Sequence, residues 1–368
     1  MFMLSSKYGV YSLHETLLIA AVIITFWSIV NIVYRFKPGV LARKGFKLYY
    51  GVVLVYRRKK AVKPSRLHRK ISYVYIPIFI VVLILFYYTM ISNIMGKIGL
   101  ISRGVEVQLL IPGVNITGEQ LIYFIVAIAI AAFIHEVMHA SVAFSHGIGV
   151  KSIGFAIVVV LPIAFTEVDE DRFSYASTKS KIAVLAAGPT SNYLVALIAL
   201  LLLGNIVGQY GIVVLDVIPG SLAESYGIKP GDILVAMDGK PLTRSLLAKY
   251  LNNNTYPGIN FTLTVVSDKT VRQVTVSKPW NVTRLGIAFA NKPVDYLIEA
   301  FGLRAALTIQ FLVTWIYVVN LGLAVINAAP IFVSDGGRIF YELLKNKKIA
   351  HLVNAASLAI LAIALYPL

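Results

Sequence analysis

Residues 121–140 read LIYFIVAIAIAAFIHEVMHA, an apolar run that carries two histidines and a glutamate near its end. A helix of about 20 mostly apolar residues is long enough to cross the roughly 30 Å hydrocarbon core of a bilayer. Ionisable side chains inside hydrocarbon are costly unless they are paired or bind a metal ion. The stretch therefore predicts a membrane-spanning helix with a functional site near one end.

The rest of the chain has the composition of a membrane protein. Of its 368 residues, 58% are hydrophobic and 14% are charged, against about 45–50% and about 25% in soluble domains. We therefore expect a polytopic α-helical membrane protein with about six transmembrane helices, the first retained rather than cleaved as a signal peptide. The chain has no cysteine, so we expect neither disulfides nor thiol chemistry. The apolar segments lie near residues 13–34, 72–95, 120–145, 182–206, 304–328 and 349–366.

The positive charge is concentrated between the first two apolar segments. Thirteen Lys and Arg residues and no acidic residue lie within 35–70. The positive-inside rule places this basic loop in the cytosol, where it would contact anionic lipid, and we expect no nucleic-acid binding. In the cell membrane, this orientation puts the N-terminus and residues 207–303 outside and the histidine motif toward the cytosolic side. The four N-x-S/T sequons all fall in segments predicted to be outside, at Asn115, Asn253, Asn260 and Asn281.

Residues 209–288 interrupt the apolar pattern with short alternating strands and Pro-Gly and Asp-Gly turns, which indicate an extramembrane β-rich domain. The stretch GIVVLDVIPGSLAESYGIKPGDILVAMDGKPLT, residues 211–243, resembles a PDZ domain of the kind associated with bacterial and archaeal proteases. The resemblance implies a groove for peptide C-termini, near residues 212–215 and a helix around 246–251. The alternative is a PDZ fold that only blocks access sterically.

The apolar run contains an HExxH motif, with His135 and His139 four residues apart and Glu136 beside the first. On a helix, this spacing brings both imidazoles to one face, where they can share one metal ion. The arrangement is typical of zinc proteases, in which the glutamate is the general base. Two core histidines that only form hydrogen bonds are the alternative, and the cost of burying them in an apolar span disfavours it.

A catalytic zinc ion usually keeps three protein ligands, so the motif needs a partner elsewhere in the chain. His146 does not have the spacing of the metzincin third histidine. Glu167 or Glu170 would suit a scheme with a glutamate ligand. We prefer Asp335, because it follows an apolar helix that must end or kink at Pro330.

Two further motifs occur in order along the chain. GPTSN, residues 188–192, lies on the apolar segment that follows HExxH, and NAAPIFVSDG, residues 327–336, contains the aspartate. Over residues 115–340, the three motifs and the inserted PDZ-like domain resemble the site-2 protease family of intramembrane zinc metalloproteases. One departure is that Phe332 and Ser334 replace a proline and a leucine found in many members.

The resemblance implies an enzyme that holds Zn²⁺ through His135, His139 and Asp335 and uses Glu136 as the general base. Its substrates would be single-span membrane proteins already trimmed by an earlier protease and cut within or near the membrane. The PDZ domain would filter access to the site.

The asparagines of the two later motifs have implied roles as well. By resemblance, Asn192 and Asn327 would position the substrate backbone or the developing oxyanion. Hydrogen bonding between packed spans is the alternative for both.

Segment 153–168, IGFAIVVVLPIAFTEV, is apolar but interrupted by Gly154 and Pro162. We hypothesise a re-entrant β-hairpin that pairs with unwound substrate, with a hairpin on the cytosolic interface as the alternative. The predicted organisation is two N-terminal spans with the basic loop in 1–119, a first part of the catalytic core in 120–208, the PDZ domain in 209–288, and a second part of the core with a C-terminal helix in 289–368.

Two other functional classes stay open at this point. One is a membrane-anchored zinc protease with a glutamate as third ligand and a cytosolic active site. The other is a non-catalytic membrane scaffold that carries a PDZ domain. Glu136 argues against the scaffold, because metal binding alone has no use for a base.

Overall fold

The computed structural model of the chain describes residues 13–58, 66–252, 258–267 and 270–366. Residues 59–65 of the basic loop and the sequon at Asn253 lie outside this part of the chain. The chain divides into two compact units. Unit 1 comprises Met1–Leu200 and Thr314–Leu368, and unit 2 comprises Leu201–Val313.

Helices and two antiparallel sheets account for most of the described chain. The helices are α1 (Leu13–Phe36), α2 (Pro38–Arg43), α3 (Arg66–Ser72), α4 (Tyr75–Lys97), α5 (Glu119–Ser145), α6 (Glu170–Tyr175), α7 (Thr178–Ile206), α8 (Leu222–Ser225), α9 (Arg244–Leu251), α10 (Asp295–Ala328), α11 (Asp335–Leu343) and α12 (Lys347–Leu365). The strands are β1 (Phe46–Tyr49), β2 (Val53–Arg58), β3 (Val150–Val158), β4 (Leu161–Val168), β5 (Val207–Val217), β6 (Ile233–Met237), β7 (Lys240–Pro241), β8 (Ile259–Ser267), β9 (Thr270–Lys278) and β10 (Ile287–Pro293).

Five helical segments of the described chain are long and apolar enough to cross a membrane. They match five of the six apolar segments predicted from the sequence. The sixth, near 13–34, falls on α1, whose side chains are described only from residue 21 onward, so the total of six stays a prediction. The five are His68–Lys97, Glu119–Ser145, Thr178–Ile206, Asp295–Ala328 and Lys347–Leu365.

The interior of unit 1 is built around α7, the most buried of the five spans. Ala183 and Ala187 of α7 share one buried cluster with Phe86 of α4. Small side chains on a spanning helix let neighbouring helices approach closely, and this close packing stabilises helix association in lipid. The hydroxyl of Thr190 also donates to the carbonyl of Tyr75 at 3.1 Å, which joins α7 to the start of α4.

Unit 1 also contains a four-stranded antiparallel sheet in the order β1-β2-β3-β4. The hairpin expected within 153–168 is formed by β3 and β4, and its re-entry into the membrane stays a prediction. The description of 35–70 as only a basic loop was wrong, because β1 and β2 lie in it and β2 pairs with β3. Residues 46–56, FKLYYGVVLVY, are rich in aromatic and β-branched residues on both sides of a turn at Tyr50 and Gly51, where φ is 51° and 73°, and this pattern is typical of a hairpin.

Unit 2 contains an antiparallel sheet in the order β10-β5-β6-β8-β9, with β7 paired to β6. Its core combines strand and helix residues, among them Ile212, Leu234, Leu247 and Phe261. The β-rich region expected at 209–288 is therefore present as a sheet with two short helices. Its resemblance to a PDZ domain stays a prediction.

The strand part of the predicted peptide groove, near residues 212–215, was wrong, and the part near the helix around 246–251 stays a prediction. Ile212 and Val213 of β5 pair with β10 on one side and with β6 on the other, so this segment has no open edge for a peptide. Among the described strands, β10 is the end of the sheet on that side. The sequence pattern could not show this, because β10 follows β9 in the chain but pairs with β5.

Candidate metal centre

The two histidines of the HExxH motif lie on one face of α5, as their spacing predicts. Their Nε2 atoms are 3.1 Å apart, and both side chains are buried. Apart from Glu136 and Ser141, the residues next to them on α5 are apolar. The face of α5 thus presents two imidazole nitrogens to one point inside unit 1.

Asp335 completes this group from the first residue of α11. Its Oδ2 atom lies 3.1 Å from Nε2 of His135 and 3.2 Å from Nε2 of His139. The three atoms form a nearly equilateral triangle. Its sides are close to the distance of about 3.3 Å that separates two ligands of a tetrahedral zinc ion with bonds of about 2.0 Å.

The turn between α10 and α11 fixes the position of the aspartate. Ser334 caps α11, because its hydroxyl accepts from the N–H of Gly337 at 3.0 Å and donates to the carbonyl of Ile331 at 2.9 Å. A Cβ on Gly336 would lie 2.2 Å from the carbonyl oxygen of Ala328, so only glycine fits against the end of α10. Ser334, one of the two residues that depart from the motif of the resembled family, therefore closes the loop that presents Asp335.

Each imidazole is oriented by a hydrogen bond at its other nitrogen. Nδ1 of His139 lies 2.7 Å from the carbonyl oxygen of Val184, and Nδ1 of His135 lies 2.7 Å from Oδ1 of Asn192. A carbonyl oxygen can only accept, so the proton of each ring is at Nδ1. Both Nε2 lone pairs are left for a metal ion.

Asn192 does not have the environment expected of a substrate-positioning residue. It is completely buried, and its amide nitrogen donates to Oδ1 of Asn320 at 2.9 Å and to the carbonyl of Ala131 at 3.1 Å. With its oxygen on His135, this amide is fully engaged with protein. Asn320 was not predicted as a site residue from the sequence. An amide side chain within an apolar span is nevertheless a signal of function or of hydrogen bonding between helices.

A glycine provides the space beside the three ligand atoms. A Cβ on Gly188 would lie 2.3 Å from Nε2 of His139 and 2.5 Å from Nε2 of His135. Any side chain there would occupy the space in front of both nitrogens. Together with the donor set of two imidazoles and one carboxylate, this space fits a zinc ion.

The ligand atoms open into a cavity of about 230 Å³. Glu136 lines it beside the histidines, and Thr166 of β4 lines it while donating to the backbone carbonyl of Glu136 at 2.8 Å.

Asn327 also lines the cavity, with its amide nitrogen 3.0 Å from the carbonyl of Leu323. Asn327, and not Asn192, therefore faces this cavity. Arg338 reaches the same cavity and pairs with Glu170.

The other candidate ligands lie elsewhere. Glu167 accepts a hydrogen bond from Ser152 at 2.7 Å within the sheet of unit 1. His146 contacts two serines beyond the end of α5, and Glu170 pairs with Arg338. Within the described chain, the group able to hold a metal consists of His135, His139 and Asp335.

Comparison with known proteins agrees with this geometry. The chain is 27% identical over 347 residues to an uncharacterized protein of Methanocaldococcus jannaschii, which covers 91% of this chain and 87% of that protein. It is 28% identical over 187 residues, 39% of this chain and 49% of the relative, to an Agrobacterium fabrum protein provisionally named a zinc metalloprotease. A Rhizobium meliloti protein with the same provisional name is 42% identical over 64 residues, 17% of each chain.

A model of peptidase family M50 matches residues 123–365, about two thirds of the chain. The match includes both histidines, Glu136 and Asp335, and it therefore covers every residue of the candidate metal centre. The chain belongs to peptidase family M50, a family of membrane zinc metalloproteases.

Proposed function

We propose that this protein is an intramembrane zinc metalloprotease of the site-2 type, which hydrolyses peptide bonds within or near the transmembrane segments of membrane proteins. The observation that carries the proposal is the convergence of His135, His139 and Asp335 on one cavity that Glu136 also lines. A metal-binding scaffold would need the three ligands but not the carboxylate beside them. The presence of both favours hydrolysis.

The residues of the site divide the chemistry between them. When bound by His135, His139 and Asp335, Zn²⁺ supplies Lewis acidity, which lowers the pKa of a water molecule to about 7 and polarises a carbonyl. Glu136 takes the proton of the attacking water and passes it to the leaving amine. Asn327 lines the cavity, and we assign its amide to the substrate backbone or the developing oxyanion.

The substrate of such an enzyme has to unwind, because a transmembrane helix keeps its carbonyls in its own hydrogen bonds. An unwound segment needs new partners for these groups. β4 ends the sheet of unit 1, and its Thr166 and Val168 line the cavity. We propose that the outer edge of β4 receives the substrate as an added strand.

We propose that the PDZ-like domain controls which substrates reach the site. Single-span membrane proteins shortened by an earlier protease would pass it, and proteins with large external domains would not. A series of substrates with external segments of decreasing length tests this role. Cleavage that does not rise as the segment shortens would count against filtering.

The experiment that tests the proposed function uses the full chain in proteoliposomes with a single-span membrane protein. We expect a cut within or near the span that a zinc chelator abolishes and added zinc restores. Glu136→Gln should lose the cut while keeping zinc, because the base is not a ligand. Glu299→Gln, which changes an exposed carboxylate on α10, is the matched control and should cleave normally.

Asp335→Ala separates the proposal from a protease with a glutamate ligand. We expect this variant to lose both zinc and activity, because one corner of the ligand triangle is removed. Zinc binding that survives in Asp335→Ala and disappears in Glu167→Ala would support the alternative. Cleavage retained by Glu136→Gln would overturn the mechanism.

A further inference from the structure

α1 contacts the sheet of unit 1 through two polar side chains at the hairpin tips. The indole N–H of Trp27 donates to the carbonyl of Val159 at 2.8 Å, and the amide of Asn31 donates to the carbonyl of Gly51 at 2.8 Å. Within residues 21–36, where side chains of α1 are described, Trp27 alone is buried. This part of α1 is therefore attached to the sheet chiefly through Trp27.

Val159 occupies a position that a valine adopts with difficulty. It is the first residue of the two-residue turn between β3 and β4, and its φ is 58°. Positive φ is rare for β-branched residues, and glycine is the usual residue at the first position of such a turn. A valine stays there only where surrounding contacts fix the turn.

Two contacts fix this turn. The carbonyl of Val159 accepts from Trp27, and its N–H donates to the carbonyl of Val52 at 3.0 Å in the neighbouring hairpin. The first contact comes from α1 and the second from the β1–β2 tip. The conformation of the turn thus depends on the position of α1.

β4 connects the turn to the candidate metal centre. The strand starts at Leu161, which pairs with Val158, and it continues to Thr166, whose hydroxyl holds the backbone of Glu136. The turn of a hairpin sets the register of its strands, and a one-residue slip would move every side chain of β4 to the opposite face. The part of β4 beside Glu136 is included in that change.

We infer that Trp27 is a positioning residue for the protease reaction, because its indole N–H fixes the Val159 turn and thereby places the edge of β4 beside Glu136. The inference rests on the proposed function, since it concerns how the same site receives a substrate strand. The candidate metal ligands lie on α5 and α11, and none of the hydrogen bonds described for their side chains involves this turn. Loss of the indole N–H therefore weakens substrate binding and leaves zinc in place.

Trp27→Phe tests the inference, because it keeps an aromatic ring and removes the N–H. We expect KM for a single-span substrate to rise about five- to tenfold, the effect of one net hydrogen bond, with kcat and bound zinc unchanged. Ile29→Ala, at an exposed site two residues along α1, is the matched control and should match wild type. Equal losses of kcat, zinc and thermal stability in Trp27→Phe would indicate a general structural role and overturn the inference.

Val159→Gly supplies a second, sharper test. Glycine adopts positive φ without strain, so the turn should no longer need the indole. We expect Trp27→Phe to raise KM less in a Val159→Gly background than in the wild type, which is a coupling between the two sites. Equal effects in both backgrounds would overturn the inference.

Hydrogen exchange separates failure of this inference from failure of the proposed function. In Glu136→Gln protein, which needs no turnover, Trp27→Phe should speed amide exchange in residues 150–168. Unchanged exchange would show that Trp27 does not fix the hairpin. A wild-type protein that cuts no membrane substrate, but whose exchange responds to Trp27→Phe, would refute the protease and leave the positioning contact standing.

Discussion

Oδ1 of Asn192 lies 2.7 Å from Nδ1 of His135, and the amide nitrogen of the same side chain lies 2.9 Å from Oδ1 of Asn320. Residues of α7 and α10 thereby reach the candidate ligand His135 on α5 through one buried amide. A buried polar group that loses its partner cannot bond to water instead. Removing any of the hydrogen bonds that link His135, Asn192 and Asn320 is therefore costly. Asn192 of the GPTSN motif thus contacts the candidate ligand His135 at the ring nitrogen that faces away from the candidate metal centre.

Asn192→Ala should weaken zinc binding. The change leaves Nδ1 of His135 unpaired and frees the ring to rotate, and loss of such partners typically reduces metal affinity about 10- to 100-fold. Competition with a chromophoric chelator measures the affinity. Asn327→Ala is the matched control, because Asn327 lines the cavity without bonding either histidine.

The two asparagine variants should therefore lose different properties, zinc affinity in one and turnover in the other. Asn327→Ala should keep zinc and lose turnover if its amide contacts the substrate. Normal zinc affinity in Asn192→Ala, combined with lost turnover, would restore the substrate role that the sequence resemblance implied for that residue.

Gly188→Ala should prevent metal binding. Its methyl group would stand 2.3 Å from Nε2 of His139, closer than any real contact, and the rigid helix backbone of α7 cannot move it away. We expect no zinc to copurify with the folded variant, as metal analysis would show. Gly204→Ala on the same helix has open space around its Cβ and should bind zinc normally. Stoichiometric zinc in Gly188→Ala would mean that the ion lies elsewhere.

The parts of the fold that were predictable depend on local patterns. The five matched spans follow from apolar length, and the hairpin of β3 and β4 follows from an apolar segment too interrupted to span. β1 and β2 were missed because the basic residues of 35–70 suggested a loop, although aromatic and β-branched residues flank Gly51 on both sides. The edge position of β10 depends on pairing between strands distant in sequence, which no local pattern encodes.

The candidate site also contains residues that local sequence patterns predict and residues that they do not. His135 and His139 could be paired from the geometry of one helix, and the structure brings Asp335 to them from another. Asn320 belongs to no motif, and its role exists only because α7 and α10 place two amides within 2.9 Å. The motif of Gly188 was recognised, but the need for a glycine appears only once the histidines are seen in front of it.

Ser334→Ala should reduce both stability and zinc affinity. Loss of a helix cap costs about 1 kcal/mol, and here the capped helix begins with the ligand Asp335. Thermal unfolding in detergent measures the first effect and chelator competition the second. Thr243→Ala removes the cap of α9 in unit 2 and should lower stability alone. Similar zinc affinities in the two variants would show that the cap does not hold the aspartate.

His146 makes the stability of unit 1 depend on pH. Its Nδ1 lies 2.9 Å from the hydroxyl of Ser180 and its Nε2 lies 2.8 Å from that of Ser72, which joins the end of α5 to α7 and α3. Burial, reinforced by the positive charges of Arg69 and His68, lowers the pKa of His146 from 6.5 to about 4.

The lowered pKa fixes the direction of the effect. The unfolded chain takes up the proton at a pH of about 6.5 and the folded chain only at about 4, so protonation favours unfolding in between. The contribution of His146 is complete above a pH of about 6.5 and is lost as the pH falls toward about 4. Between about pH 7.5 and about pH 5, we therefore expect wild type to lose more folding stability than His146→Gln, which has no titrating side chain at this position. Unfolding in detergent at the two pH values measures this loss. His351→Gln, which removes a histidine from α12, should behave as wild type. An equal loss in wild type and His146→Gln would assign the acid sensitivity to other groups.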